Sequence, residues 1–181
     1  MSFIAGMLLL FMDKYQSFVA LMNITLSHDI IPFYRFEENQ IRKRLQIFKQ
    51  IFYYNLPELC DHFESMDILP EHYLIEWNMT LFSKSLNIDI SARIWDIYMI
   101  EGVKAIYQSA IGNYYIILVI LSHFEKRFLN SEFDTIMKTL KTTNNINFDE
   151  DQFTEMMKQV KFQEWVSQEI QKLNDEYIPI Y

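Results

Sequence analysis

The stretch Ile41-Arg42-Lys43-Arg44-Leu45-Gln46-Ile47-Phe48-Lys49-Gln50-Ile51-Phe52 decides the fold class. Ile41, Leu45, Phe48 and Phe52 stand at i, i+4, i+7 and i+11, while Arg42, Lys43, Lys49 and Gln50 fall largely on the other side. That is the period of an α-helix with one face sunk in a core. Asn55 before Leu56-Pro57 marks its end, and a short helix follows through Phe63. Pro70 opens the next, since its missing N–H costs nothing in a first turn, and Tyr73, Leu74, Trp77 and Leu81 ride on it.

The same period continues on both sides. Asp89 is placed to cap a helix whose Ile90, Ile94 and Ile97 form a stripe, and Gly102 can supply the left-handed turn that stops it. Val103 to about Leu129 reads as the longest helix, with Tyr114–Leu121 apolar on all faces and therefore surrounded by other helices. Upstream, one helix covers Ser2–Met12 and a second Lys14–Leu26, with Phe18, Leu21 and Met22 on one face; Ser27–Phe36, containing Pro32, reads as a loop. Downstream, Ser131 with Asp134 and Asn147 with Glu150 resemble capping boxes, the polar run Thr142-Thr143-Asn144-Asn145 links two short helices, and a last helix carries Phe162, Trp165, Val166, Ile170 and Leu173. The expectation is an irregular all-α domain of about nine or ten helices, without the fixed repeat of a solenoid.

Composition agrees. Half of the 181 residues are apolar and 16 % aromatic, too much to leave in water as a disordered tail. Three Gly and four Pro cannot supply the turns of a sandwich or barrel. A net charge of −8 and a pI near 5.0 argue against a broad grip on nucleic acid or anionic lipid, and the run Arg42-Lys43-Arg44 reads as a solvated helix face. Cys60 stands alone, which suits a reducing cytosol and a buried thiol. His28, His62, His72 and His123 lack metal-ligand spacing, and there is no Gly-rich phosphate loop or nucleophile elbow, so no cofactor or metal is indicated. Met1–Met12 is apolar but has no basic leader, so it reads as a core helix, and the longest apolar run, Tyr114–Leu121, is too short to cross a bilayer.

Particular strings go further. Met1-Ser2-Phe3-Ile4-Ala5-Gly6-Met7-Leu8 resembles the segment that follows the Y-x-Q-G motif of TBC domains, the helical activators of Rab-type GTPases. Asn55-Leu56-Pro57, His62-Phe63, Pro70, Tyr73, Trp77, Thr80-Leu81-Phe82, Arg93-Ile94-Trp95-Asp96 and Glu101-Gly102 resemble the family's later landmarks, in order. The resemblance is distinctive to about residue 121; it makes 1–129 a TBC-domain portion and 130–181 further helices of the same domain. It implies a GTP-bound Rab as partner, no cofactor, and a cytoplasmic protein peripheral on endomembranes. Trp77 and Trp95 are core framework candidates; Arg93 and Asp96, one turn apart, either pair locally or reach neighbouring helices.

The resemblance also implies two fingers, an arginine from I-x-x-D-x-x-R and a glutamine from Y-x-Q. Neither carries over: Arg35, Arg42, Arg44, Arg93 and Arg127 lie downstream of both motifs, and Gln16 and Gln40 sit in the wrong segments. The expected catalytic set within the chain is therefore empty, with Met1, Ser2 and Phe3 the residues expected nearest the GTPase. On this reading Met1 is an internal methionine of a longer protein, and the chain alone is poorly stable or self-associates. The alternatives are a non-catalytic Rab-binding or scaffold module, or an unrelated helical adaptor.

Overall fold

The stripe of Ile41, Leu45, Phe48 and Phe52 lies on an 18-residue helix, Glu38–Asn55, whose inner side buries Leu45, Ile47, Phe48, Ile51 and Phe52. The computed structural model of the chain describes residues 1–100, 109–141, 156 and 164–176. Among the described residues there are ten helices and no strand: α1 (Ser2–Phe11), α2 (Lys14–Thr25), α3 (Ile31–Tyr34), α4 (Glu38–Asn55), α5 (Pro57–Ser65), α6 (Glu71–Thr80), α7 (Ile88–Ile100), α8 (Ser109–Phe128), α9 (Phe133–Lys141) and α10 (Glu164–Glu176). The all-α expectation holds.

The middle of α8 is the axis of the core. Tyr114 and every residue from Ile116 to Leu121 are buried, as a stretch apolar on all faces requires. α4 and α7 pack on it, and α10 closes over α4 and α8 with Val166, Ile170 and Leu173. An aromatic chain runs through this core: Phe48 stacks on Phe52 at 5.7 Å and meets Tyr114 at 5.5 Å, Phe63 meets Phe128 at 5.7 Å, and Tyr73 meets Trp77 at 5.4 Å. Such pairs add about 0.5–1.5 kcal/mol each beyond area burial.

The turn between α6 and α7 is built without glycine. Leu81 (φ 45°) and Phe82 (φ 62°) are both left-handed; the Phe82 N–H donates to the Trp77 carbonyl at 3.1 Å and the Leu81 N–H to that of Asn78 at 3.3 Å. This is the helix-ending motif that normally recruits glycine, so each residue carries roughly 1–3 kcal/mol of strain. Both side chains are buried, which offsets it by about 1.5–3 kcal/mol apiece. The Trp95 indole N–H then donates to the Leu81 carbonyl at 3.0 Å, tying α7 to the turn.

Several readings of the sequence are corrected. Ser27–Phe36 is not all loop: Pro32, with its φ preset for a first helical turn, sits in the four-residue α3, whose Tyr34 hydroxyl donates to the Met79 carbonyl. The cap of α7 is Asn87, whose Oδ1 accepts the Ile90 N–H at 2.9 Å; Asp89 lies inside the first turn, where its charge suits the helix dipole. Leu81 is beyond α6 rather than on it. Ser131 does not cap α9, because its hydroxyl donates backward to the Arg127 carbonyl at 2.8 Å.

The run Arg42-Lys43-Arg44 is split by the helix period. Arg42 and Lys43 are exposed and pair with Glu38 and Glu176, but Arg44 shares the inner side with Phe48 and is buried. Its guanidinium donates to the His28 carbonyl and to Gln40 Oε1, both at 2.8 Å. α1 is only partly a core helix, burying Ile4, Met7 and Leu8 while Leu9, Leu10 and Phe11 are exposed. On α2, Phe18 and Met22 face outward, away from the partly buried Leu21. The Ile97 side chain, Gly102, the linker Thr142–Asn145, the Asn147–Glu150 start and Phe162 lie outside the described residues.

Replacing Trp95 with Phe keeps most of the buried ring but leaves the Leu81 carbonyl without its indole donor, so a loss of about 1–3 kcal/mol is expected. Trp77→Ala, which empties an aromatic site, is expected to cost about 3–5 kcal/mol. Urea melts followed by circular dichroism check both, and equal losses would contradict the distinction.

Candidate functional site

The start of α1 is apolar yet open to solvent. Met1 and Phe3 are 58 % and 47 % exposed, and Ser2 is exposed beside them. The Lys84 ammonium stands 6.0 Å from the centre of the Phe3 ring and is also paired with Glu76, so α1 is joined electrostatically to the α6–α7 turn. Between these elements runs a cleft of about 640 Å³, walled by Phe3, Gly6 and Leu10 on one side and Leu86, Ile88 and Ser91 on the other. A Cβ built at Gly6 would meet nothing within 4 Å, so packing does not require glycine there; its effect is to widen the cleft. The buried Ser91 hydroxyl has no hydrogen-bond partner among the described residues.

Ser91 and Trp95 lie one turn apart on the same side of α7, so the tryptophan continues underground the wall that Ser91 begins. Trp95 is 6 % and Trp77 1 % exposed. Arg93 and Asp96 are on the opposite, solvent side: their charged groups are 4.0 Å apart and the side chains 55 % and 61 % exposed. The two tryptophans are thus brought to the α6–α7 junction together, and the ion pair is not.

A second cleft, about 290 Å³, opens between α4, α5 and the segment before α6. Leu45, Phe52 and Phe63 form its floor with Cys60, and the Lys49–Glu64 ion pair, 2.9 Å apart, stands at its rim. Burial pushes the Cys60 thiol up to about 11, with a smaller contribution from the Glu64 charge. Such a thiol is a packing group rather than a nucleophile.

The sequence of residues 1–129 matches the model of the Rab-GTPase-TBC domain. The chain belongs to the Rab-GTPase-TBC domain family. Among its relatives, TBC1 domain family member 12 of Xenopus tropicalis is 35 % identical over 112 residues, and TBC1 domain family member 14 of Homo sapiens 36 % identical over the same length. Drainin of Dictyostelium discoideum is 31 % identical over 160 residues, 88 % of this chain. The stretch matched to the two TBC1 relatives spans 62 % of this chain but only 16 % of theirs, and the Drainin match covers only 35 % of Drainin.

For this TBC chain, sequence reasoning named the tryptophans and the first three residues but missed Gly6, Leu86, Ile88 and Ser91 as walls of one cleft. Gly6 inside an apolar helix was the available signal, since a helix interior disfavours glycine unless something approaches it or space is left. The Lys84–Phe3 contact joins residues far apart in the chain and leaves no periodic trace.

Two consequences are measurable. Asp96→Asn should change stability by no more than about 1 kcal/mol, as for other exposed pairs; a loss of several kcal/mol in urea would show that the aspartate carries a framework load. Burial should hold the Cys60 thiolate population near neutral pH about a hundredfold below that of an exposed thiol with its ordinary value of 9.0. Labelling with a thiol reagent should accordingly be slow in buffer and fast in urea, and rapid labelling of the native chain would contradict the burial argument.

Proposed function

We propose that this chain forms the C-terminal part of a Rab GTPase activator acting in vesicle trafficking, and that the two reacting side chains come from motifs outside these 181 residues. The observation that carries the proposal is the match of residues 1–129 to the Rab-GTPase-TBC domain. In this reading Met1, Ser2 and Phe3 lie next to the GTPase, a role for which their exposure leaves room. Trp77 and Trp95 act at one remove, by fixing the α6–α7 junction against which α1 is held. Arg93 and Asp96 support the α7 surface and take no part in the reaction.

The chemistry explains why two fingers are needed. As the bond to the γ-phosphate loosens, charge gathers on the phosphate oxygens, and a guanidinium placed there stabilises the transition state. A glutamine amide both accepts from and donates to the attacking water, fixing its line of approach. Neither I-x-x-D-x-x-R nor Y-x-Q occurs in the chain, so it supplies binding and positioning while the reacting groups are encoded elsewhere. No helix among the described residues is long and apolar enough to cross a membrane. We place the protein on the cytoplasmic surface of endomembranes, brought there by its lipid-anchored partner.

The test is GTP hydrolysis across a panel of Rab proteins, with this chain alone and with a chain extended to include both finger motifs. The extended chain should accelerate one or more Rabs by about 10³–10⁵, the range of a finger supplied in trans. The 181-residue chain should bind the GTP-loaded form without accelerating it, and Phe3→Ala should weaken that binding. Acceleration by the short chain would overturn the assignment of the fingers; binding without acceleration by the extended chain would favour a scaffold.

A further inference from the structure

The cleft between α4 and α5 is apolar at its floor and polar at its edge. Leu45, Phe52, Phe63 and Ile68 line it and are buried, while Leu69, on the segment before α6, is 40 % exposed. Lys49, paired with Glu64, and Arg42, paired with Glu38, stand at the edge together with Glu71. A rim of paired charges is how a surface that meets water is finished, so this concavity belongs to the outside of the chain rather than to a face prepared for a larger core.

Helix α10 ends beside it. Glu176, the last residue of α10, pairs with Lys43 at 2.8 Å, which fixes the end of the helix on α4 next to Arg42. The seam between the two helices is lined by Gln46, Ile47 and Gln50 of α4 with Lys172 and Leu173 of α10, and Gln46 lines both the seam and the cleft. The sequence continues with Tyr177-Ile178-Pro179-Ile180-Tyr181, five residues without a charged side chain in a chain of net charge −8.

We propose that residues 177–181 occupy this cleft as a strap that crosses α4 at Gln46 and lays Ile178 and Ile180 on the floor beside Cys60. The reach is sufficient: five extended residues span about 17 Å, and Lys43 to Lys49 along α4 is about 9 Å. Pro179 bars a continuation of α10 and sets Ile178 in extended backbone. Alternate side chains of an extended segment point the same way, so the two isoleucines enter together. The tyrosines have rings for the apolar edge and hydroxyls for the polar rim. The strap ties the end of α10 to α4 and fills the cleft, so a segment of another protein enters only by displacing it. The inference does not rest on Rab activation, since it concerns contacts within the chain.

Cys60 is the single cysteine of the chain and lines the cleft, so it can report on the strap. In an Ile180→Cys chain held in a glutathione redox buffer, Cys60 and the new thiol should close a disulfide within one molecule. The two thiols give up two electrons and two protons, and oxidised glutathione takes them up as two reduced glutathiones. Adding Ile178→Gly and Pro179→Gly keeps the tether but removes an anchor and the bend, and should lower the effective thiol concentration by about tenfold or more. Ending the chain at Glu176 should shift the amide signals of Cys60, Glu64 and Leu69 in a proton–nitrogen correlation spectrum and leave those of Arg93 and Asp96 in place. Equal effective concentrations in the two cysteine chains would overturn the proposal, since a tether alone would then explain the bridge. A disulfide that joins two molecules would overturn it in favour of a second copy, and unmoved cleft signals in the shortened chain would overturn it outright.

Discussion

The middle turns of α8 cannot face water in any direction, and the arrangement of the other helices follows from that. A stretch in which Ile116 through Leu121 are all buried has to be enclosed from every side, so α4, α7 and α10 meet around it rather than in a layer beside it. Enclosure alone would tolerate many packings. Three polar contacts select one: the Tyr114 hydroxyl donates to the Arg44 carbonyl at 3.0 Å, the Asn113 amide to Asn78 Oδ1 at 3.1 Å, and the Trp95 indole to the Leu81 carbonyl. Each would leave a buried polar atom unpaired if a helix slid or turned, and such an orphan costs more than the bond itself contributes.

The same logic separates the protein into two unlike sides. Around α8 the polar groups are few. Along α1 and α2 the surface is apolar, open and nearly uncharged, and it runs into the cleft that Gly6 widens against Leu86 and Ile88. The first turn of α1 and the outward stripe of α2 are both exposed. These are neighbouring but separate surfaces of one helical pair.

Much of this was legible in the chain itself. Helical period placed α4 and α8, proline and asparagine placed the ends of α4 to α6, and ordered strings such as Arg93-Ile94-Trp95-Asp96 pointed to the family. What escaped was information that spacing does not hold. Arg44 looks solvated beside Arg42 and Lys43, and its burial depends on a carbonyl of His28 contributed by another segment. Phe18 and Met22 look like core residues because an apolar stripe indicates that something covers it, not whether that something is the same molecule. Asp89 and Asn87 are both good caps, and only the backbone geometry of the preceding turn selects the asparagine.

The paired left-handed residues at Leu81 and Phe82 bear on what α7 does for the helix before it. Their conformation is disfavoured locally, and burial of both side chains together with the Trp95 indole on the Leu81 carbonyl offsets it. The corner is thus held in shape by the helix that follows it rather than by a turn preference of its own.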